Sequence, residues 1–286
     1  MLGAEPNEPQ MADRRPIGIF DSGVGGLTVV RAVLDLLPHE PVVYFGDTAR
    51  SPYGPRPLGE IRTFAREIAA YLVSRDVKAL VVACNSVEVA AIEDLTVSSG
   101  IPVIGVIDPG VRAALRASRS GRIGVIGTEA TIASGAYGRA LTALGDAELF
   151  SAACPTFVPF VERGETTSDE LLEAAREYLR PLIDAGVDTL ILGCTHYPLL
   201  SGLLQVVMGP DVVLISSAEE TAKDVFAILV AEGLAAPEDT SPSHEFLCSG
   251  DPASFLALAA RFLGPEAAEV RAQSVQPAPL GERSWS

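Results

Sequence analysis

Two stretches of the chain end alike. "VKALVVACNS" closes on Cys84-Asn85-Ser86 and "VDTLILGCTH" on Cys194-Thr195-His196, so two of the four cysteines each follow an apolar run and precede small polar residues. Asn85 or Ser86 can cap a following helix. Thr195 can do the same ahead of Pro198, which suits a first helical turn. Each sulfur is therefore expected at a strand end facing a helix N-terminus, where free N–H groups and the helix dipole favour negative charge and lower a thiol pKa from about 8.5 toward neutrality. A lone cysteine at the end of a buried strand is also simply a small apolar residue. Two such ends in equivalent settings open other chemistry. A disulfide is disfavoured in a reducing compartment. A zinc site built from Cys84, Cys194 and His196 lacks the C-x-x-C or H-x-x-x-H spacing such sites use. The third chemistry is an acid–base pair flanking one carbon, in which one sulfur takes a proton as thiolate and the other returns one as thiol. Such a pair inverts a stereocentre.

The elements that must position these groups are legible as alternating strands and helices. "PIGIF" precedes "LTVVRAVLDLLP", "PVVYFGD" precedes "LGEIRTFAREIAAYLVSRD", "KALVVAC" precedes "VEVAAIEDLTVSSG", and further strand-like runs follow in "PVIGVID", "RIGVIGT", "DTLILGC" and "DVVLISS". This alternation predicts an α/β fold with parallel sheets flanked by helices, and ligands in such sheets collect at the carboxyl ends of the strands. Asp21, Asp47, Cys84, Thr128 and Cys194 all fall at such ends. The Cys84 run aligns with the Cys194 run at an offset of 110 residues, and "PIGIFDS" aligns with "RIGVIGT" at an offset of 106. One α/β unit used twice is the reading. With 286 residues the chain suits about two domains, pseudo-symmetric, with the site in the cleft between them.

Composition narrows the function. The net charge of −16 and pI near 4.6 give a field that repels nucleic acid and anionic lipid, so neither is expected as a partner. Any anionic ligand must then be held by short-range donors. No run approaches the roughly 18 apolar residues of a membrane span. The opening "MLGAEPNEPQMADRRP" lacks the apolar core of a secretory signal, so residues 1–15 are expected to be a loose arm and the protein cytoplasmic, with its thiols reduced. "GVGG" is not a G-x-G-x-x-G loop, no GK[ST] phosphate loop occurs, and "FDSG" lacks the second aspartate of a D-x-D phosphatase loop. Taken alone, Asp21-Ser22-Gly23 reads as a strand-to-helix turn with a capping hydroxyl. Cys154 and Cys248 have no motif around them and read as structural. The stretch from 265 to 286 mixes Pro, Gln, Ser and Ala without period and is expected to be unstructured.

Six motifs in order, "GIFDSGVGGLTV", "GDTARSPYGPR", "ACNS", "GVIGTEATI", "FVPFVERG" and "GCTHYPLL", resemble the bacterial glutamate racemase family, cofactor-independent enzymes that make D-glutamate for peptidoglycan. The likeness runs from about Pro16 to the C-terminal tail. It departs after Cys84-Asn85, where the family commonly has a threonine and small residues and this chain has Ser86 and then Val87-Glu88-Val89. Serine keeps the hydroxyl. The resemblance implies that Cys84 abstracts the α-proton of D-glutamate and Cys194 that of L-glutamate, with Asp21 and His196 as their catalytic assistants and Glu162 supporting the histidine. It implies that Asp21, Ser22, Tyr53, Gly54, Asn85, Ser86, Thr128, Thr195 and His196 hold the substrate, with no cofactor and no metal. With the repeat, it implies a first domain of residues 16–107 plus 217–265, a second of 108–216, a disordered tail at 266–286, and a homodimer. An aspartate racemase would share both thiols, but its second motif usually carries an acidic residue where this chain has His196-Tyr197-Pro198. A non-catalytic role directed at DNA gyrase is the remaining alternative, and an intact thiol pair argues against it as the sole role.

Overall fold

The computed structural model describes residues 13–264 and 272–277. The described strands form two sheets in which every pairing is parallel. The first contains β1 (Ile17–Asp21), β2 (Val42–Gly46), β3 (Ala79–Val82), β4 (Val103–Ile104), β9 (His244–Cys248) and β10 (Ala272–Ser274), in the order β10-β9-β2-β1-β3-β4. The second contains β5 (Arg122–Gly127), β6 (Glu148–Ala153), β7 (Thr189–Gly193) and β8 (Val213–Ile215), in the order β6-β5-β7-β8. The block β2-β1-β3-β4 and the block β6-β5-β7-β8 have the same topology. The duplication read from the offsets of 110 and 106 is thus present in the strand order itself.

Helices α1 (Leu27–Leu36), α2 (Leu58–Ser74), α3 (Asn85–Ser98), α4 (Ile107–Ala117), α5 (Glu129–Ala133), α6 (Ala136–Leu144), α7 (Phe157–Arg163), α8 (Asp169–Asp184), α9 (Ser201–Met208), α10 (Ala218–Ala231) and α11 (Pro252–Leu263) supply the crossovers and flank the sheets. Strands buried on both faces need continuous apolar runs rather than alternation. "IGIFD" and "TLILG" meet that requirement and are buried at every position. The amphipathic helices turn one stripe inward, as α2 does with Ile61, Ala65, Ile68, Ala69 and Leu72. No helix among the described residues is long and apolar enough to cross a membrane.

Three expectations need correction. "PVIGVID" is strand only over Val103–Ile104, because Ile107 and Asp108 already open α4. The expected unstructured tail contains β10, which pairs Ala272 with Phe246 and Ser274 with Cys248, while 265–271 and 278–286 lie outside the described residues. Of the expected loose arm, residues 1–12 lie outside the described residues. Asp13 and Arg15 are held, Arg15 by an ion pair to Asp13 at 2.7 Å and the Asp13 carbonyl by the Lys78 ammonium at 2.9 Å. β6 ("ELFSAA") and β9 ("HEFLC") escaped the sequence reading because a polar edge strand and a short run beside a Pro- and Ser-rich loop carry little apolar pattern.

Beside the first sheet one buried pair of opposite charges is closed. Lys78 is fully buried against Glu40, whose other oxygen accepts the Ala236 N–H at 2.7 Å. Removing one partner of such a pair leaves an uncompensated charge in a medium that solvates it poorly. Lys78→Met is expected to lower stability by about 3–5 kcal/mol, read as a drop in the urea unfolding midpoint, while Lys78→Met combined with Glu40→Leu recovers most of the loss.

Candidate active site

The topology dictates where a ligand can sit. In an open parallel sheet the crevice lies beyond the strand ends at the place where successive connections leave in opposite directions, here between β1 and β3 in one sheet and between β5 and β7 in the other. Asp21 ends β1, Cys84 follows β3, Thr128 follows β5 and Cys194 follows β7. The two crevices face each other. They enclose a cavity of about 20 Å³, room for roughly one water molecule, lined by both Cys84 and Cys194.

Ser22, Tyr53, Gly54, Asn85, Ser86, Thr128, Thr195 and His196 complete the lining together with Ser51, Pro52, Val158 and Gly193. Asp21 and Glu162 do not reach the cavity surface and meet it only through their neighbours. Asp21 is fully buried: its Oδ1 accepts the Gly23 N–H at 2.9 Å and the Ser22 hydroxyl at 3.4 Å, and its Oδ2 accepts the Thr195 hydroxyl at 3.1 Å. The Glu162 carboxylate lies 3.3 Å from His196 Nε2, on the far side of the ring from Cys194. Cys84 Sγ is 3.6 Å from the Ser22 hydroxyl, and Cys194 Sγ is 3.9 Å from His196 Nδ1.

Further contacts bridge the sheets or anchor the walls. Ser86 Oγ lies 2.9 Å from Thr128 Oγ1 and 3.4 Å from Thr131 Oγ1. The Asn85 amide donates to the Tyr137 hydroxyl at 2.8 Å. Tyr53 donates to the buried Asp47 carboxylate, which also accepts from Arg50 at 2.7 Å and from Ser249 at 2.6 Å. Gly25 allows the β1–α1 turn to pass close to the second motif. A Cβ there would stand 2.3 Å from Thr195 Oγ1 and 2.5 Å from His196 Nδ1.

The capping expectation is corrected. Cys84 itself is the N-cap of α3, and the Thr195 hydroxyl is spent on Asp21 instead of on the 3-10 turn Tyr197–Leu200. The expected fall in thiol pKa is corrected too. Burial pushes Cys84 up to about 12 and the nearby Asp21 adds to this, against the lowering effect of donors from Ser22 and the Val87 N–H. Burial likewise raises Cys194 well above the ordinary thiol range, and the His196 N–H only partly offsets it. Asp21 is raised by burial, opposed first by the field of His196. Helix N-termini are present, yet desolvation of the charged form outweighs them.

Tyr137 and Thr131 carry no signal as site residues in the sequence. Tyr137 lies in a helix without a motif, and Thr131 lies within "GVIGTEATI" but gains its place only when Ser86 is brought to it. Asp47 is legible as a strand end, but its second partner, Ser249, is 202 residues away. A wider groove of about 1010 Å³ runs between α3, α4, α6 and α10, but it contains neither Cys84 nor Cys194. Among the described residues no group of three or more His, Cys, Asp or Glu is arranged to hold a metal ion.

Two parallel sheets that share one four-strand topology thus place a thiol at each of two facing crevices. The family model described as Asp/Glu/Hydantoin racemase matches residues 27–225, and the chain belongs to that family. Among the proteins it is similar to are glutamate racemases. That of Beutenbergia cavernae is 56% identical over 267 residues, 89% of this chain and 91% of the relative. The solved isoform RacE1 from Bacillus anthracis superposes with a TM-score of 0.88 at 42% identity, covering 92% of this chain and 98% of its own. The enzyme of Francisella tularensis, solved in complex with D-glutamate, superposes at 0.85 with 34% identity over the same shares.

Raised thiol pKa values have a direct readout. An ordinary cysteine approaches its plateau of alkylation near its pKa of about 8.5. For Cys84 and Cys194 in the free protein, iodoacetamide labelling followed by peptide mass spectrometry is expected to keep climbing about tenfold per pH unit between roughly pH 7.5 and 9.5.

Proposed function

We propose that the protein is a glutamate racemase, interconverting L- and D-glutamate by a two-thiol mechanism. The observation that carries the reading is that Cys84 and Cys194, from the two copies of one strand topology, line a single small cavity. The glutamate specificity follows the relatives, which are named glutamate racemases at 53–56% identity.

Removing an α-proton from an amino acid is hard because the adjacent carboxylate resists taking up a second negative charge. Donors aimed at its oxygens in a dry site offset that cost. The hydroxyls of Ser22, Ser86, Thr128 and Thr195 and the amide of Asn85 are placed to supply them, and Tyr53 and Gly54 close the wall. The substrate's ammonium would bring a positive charge into the cavity, favouring a thiolate that the empty protein disfavours.

Each sulfur has its own route for a proton. Cys84 is linked through the Ser22 hydroxyl to Asp21, and Cys194 adjoins His196, which Glu162 backs. With D-glutamate bound, the Cys84 thiolate takes the α-proton and the Cys194 thiol delivers its proton to the opposite face, giving L-glutamate. Cys84 is then a thiol and Cys194 a thiolate, ready for the reverse direction. A cavity of about 20 Å³ is too small for glutamate, so the sheets or wall side chains must part to admit it and close to exclude water.

In this reading the chemistry needs no cofactor, the D-glutamate serves peptidoglycan synthesis in the cytoplasm, and the enzyme works as a homodimer whose chain enters its second domain near Asp108 and returns near Ser217. Incubation with L-glutamate in heavy water should give D-glutamate carrying α-deuterium, and L-aspartate should give neither product at a comparable rate. Cys84→Ala and Cys194→Ala should each reduce racemisation by about 10³-fold or more with the circular dichroism spectrum unchanged. Full activity in either variant overturns the two-thiol scheme.

A further inference from the structure

α4 begins at the crossing from the first sheet to the second, and its own N-cap, Val106, offers no side-chain acceptor for the free N–H groups of the first turn. The acceptor comes from another helix. Glu88, in the first turn of α3, is buried, and its Oε2 accepts the Val106 N–H at 2.6 Å and the Ile107 N–H at 3.0 Å. Gly105 leaves the space for it: a Cβ there would stand 2.3 Å from Oε1 and 2.4 Å from Cδ. Burial pushes this carboxyl up to about 8, opposed by the two N–H donors.

The contact lies on a short mechanical path between the two thiols. Cys84 is the N-cap of α3, Glu88 sits one turn further on, and its carboxyl oxygen accepts from the start of α4. α4 packs against β7, where the Cβ position of Gly110 is 3.7 Å from Ile191, and β7 delivers Cys194. We propose that Glu88 is a positioning residue: by capping α4 from α3 it fixes how the Cys194 sheet is presented to the Cys84 sheet, and so the register of the two sulfurs across the cavity. Glu88 touches neither sulfur. It acts through the orientation of the helices that carry the two strand ends, and for turnover the proposal rests on the racemase reading above.

Three variants test it. Glu88→Ala removes the acceptor. Gly105→Ala keeps the carboxyl but evicts it from its seat. Glu88→Gln keeps an oxygen able to accept both N–H groups, since both bonds now fall on one atom, and matches a carboxyl that is neutral near pH 7. In folded protein at that pH, Glu88→Ala and Gly105→Ala are expected to lower kcat for glutamate about tenfold or more with KM changed less than about threefold, while Glu88→Gln stays within about threefold of wild type in both. A second readout needs no turnover. Iodoacetamide labelling of Cys84 and Cys194 should speed up about tenfold in Glu88→Ala and Gly105→Ala, as the cavity loosens, and stay at the wild-type rate in Glu88→Gln. A purely stabilising role would lower the melting temperature but leave kcat and labelling of the folded protein at wild-type values, and that result overturns the proposal. A wild-type protein that leaves glutamate unchanged refutes the racemase reading alone, and the labelling comparison then decides for or against the positioning role.

Discussion

Desolvation at the junction of the two sheets is the constraint on which the site depends. Two thiols, a carboxylate and an imidazole converge around space for about one water molecule, and Cys84, Cys194, Asp21 and His196 are each less than a tenth exposed. In such a medium every charge is costly and every hydrogen bond to a charge is strong. The same burial that makes the thiols poor acids in the empty protein makes the surrounding hydroxyls and amides effective once a charged ligand enters. A wetter cleft would relax both effects together. The low acidity of the free thiols is compatible with proton transfer where a positive group of a bound ligand lies against the sulfur and donors of the wall hold the ligand's negative groups away from it.

The repeated topology explains how such a place forms without a long unsupported loop. Each copy of the four-strand block opens one crevice at its own strand ends, and the cavity is two crevices closed on each other. The seam is held by polar bonds between the copies: Thr195 to Asp21, Ser86 to Thr128 and Asn85 to Tyr137. Most of these groups also line the cavity, so the residues available to a substrate are the ones that register one sheet against the other. Opening the seam to admit a ligand means breaking or stretching these bonds, and a ligand that replaces them draws the sheets back together. Glu88 lies outside that seam and keeps its grip on α4 without needing the ligand.

The sequence made the strand ends legible because apolar runs of the "ALVV" and "TLILG" kind survive any detail of packing, and the offset between the cysteine motifs carried the duplication directly. What stayed hidden depended on pairs far apart in the chain. Thr195 reads locally as a cap, and only Asp21, 174 residues away, diverts its hydroxyl. Tyr137 sits in a helix with no motif until Asn85 is brought to it. Glu88 stands where the chain departs from the family motif, and only the fold makes it the acceptor for a helix start 19 residues on. The thiol pKa values escaped for a related reason: a helix N-terminus is a local feature that spacing reveals, whereas burial is a sum over the whole fold. β10 lay in a stretch whose composition resembles loop, and its pairing with β9 supplies the order that its own residues do not.

The two halves are alike in strand order and unlike in chemistry. On one side Cys84 reaches a carboxylate through a hydroxyl; on the other Cys194 meets an imidazole directly. For a racemase this asymmetry is permitted and bounded. L- and D-forms of one amino acid have equal free energy in water, so the equilibrium constant is unity and the ratio kcat/KM must be the same in both directions, however different the two proton relays are. In the two-thiol reading proposed above, the difference between Asp21 and His196 can therefore appear only as a trade between kcat and KM for the two enantiomers, with the direction that binds more tightly turning over more slowly. Divergence of the two duplicated halves was free to adjust that trade without altering the overall efficiency balance. This accounts for a fold that keeps its pseudo-symmetry in the strands, where both crevices are needed, and abandons it in the groups behind the sulfurs, where thermodynamics does not require a match.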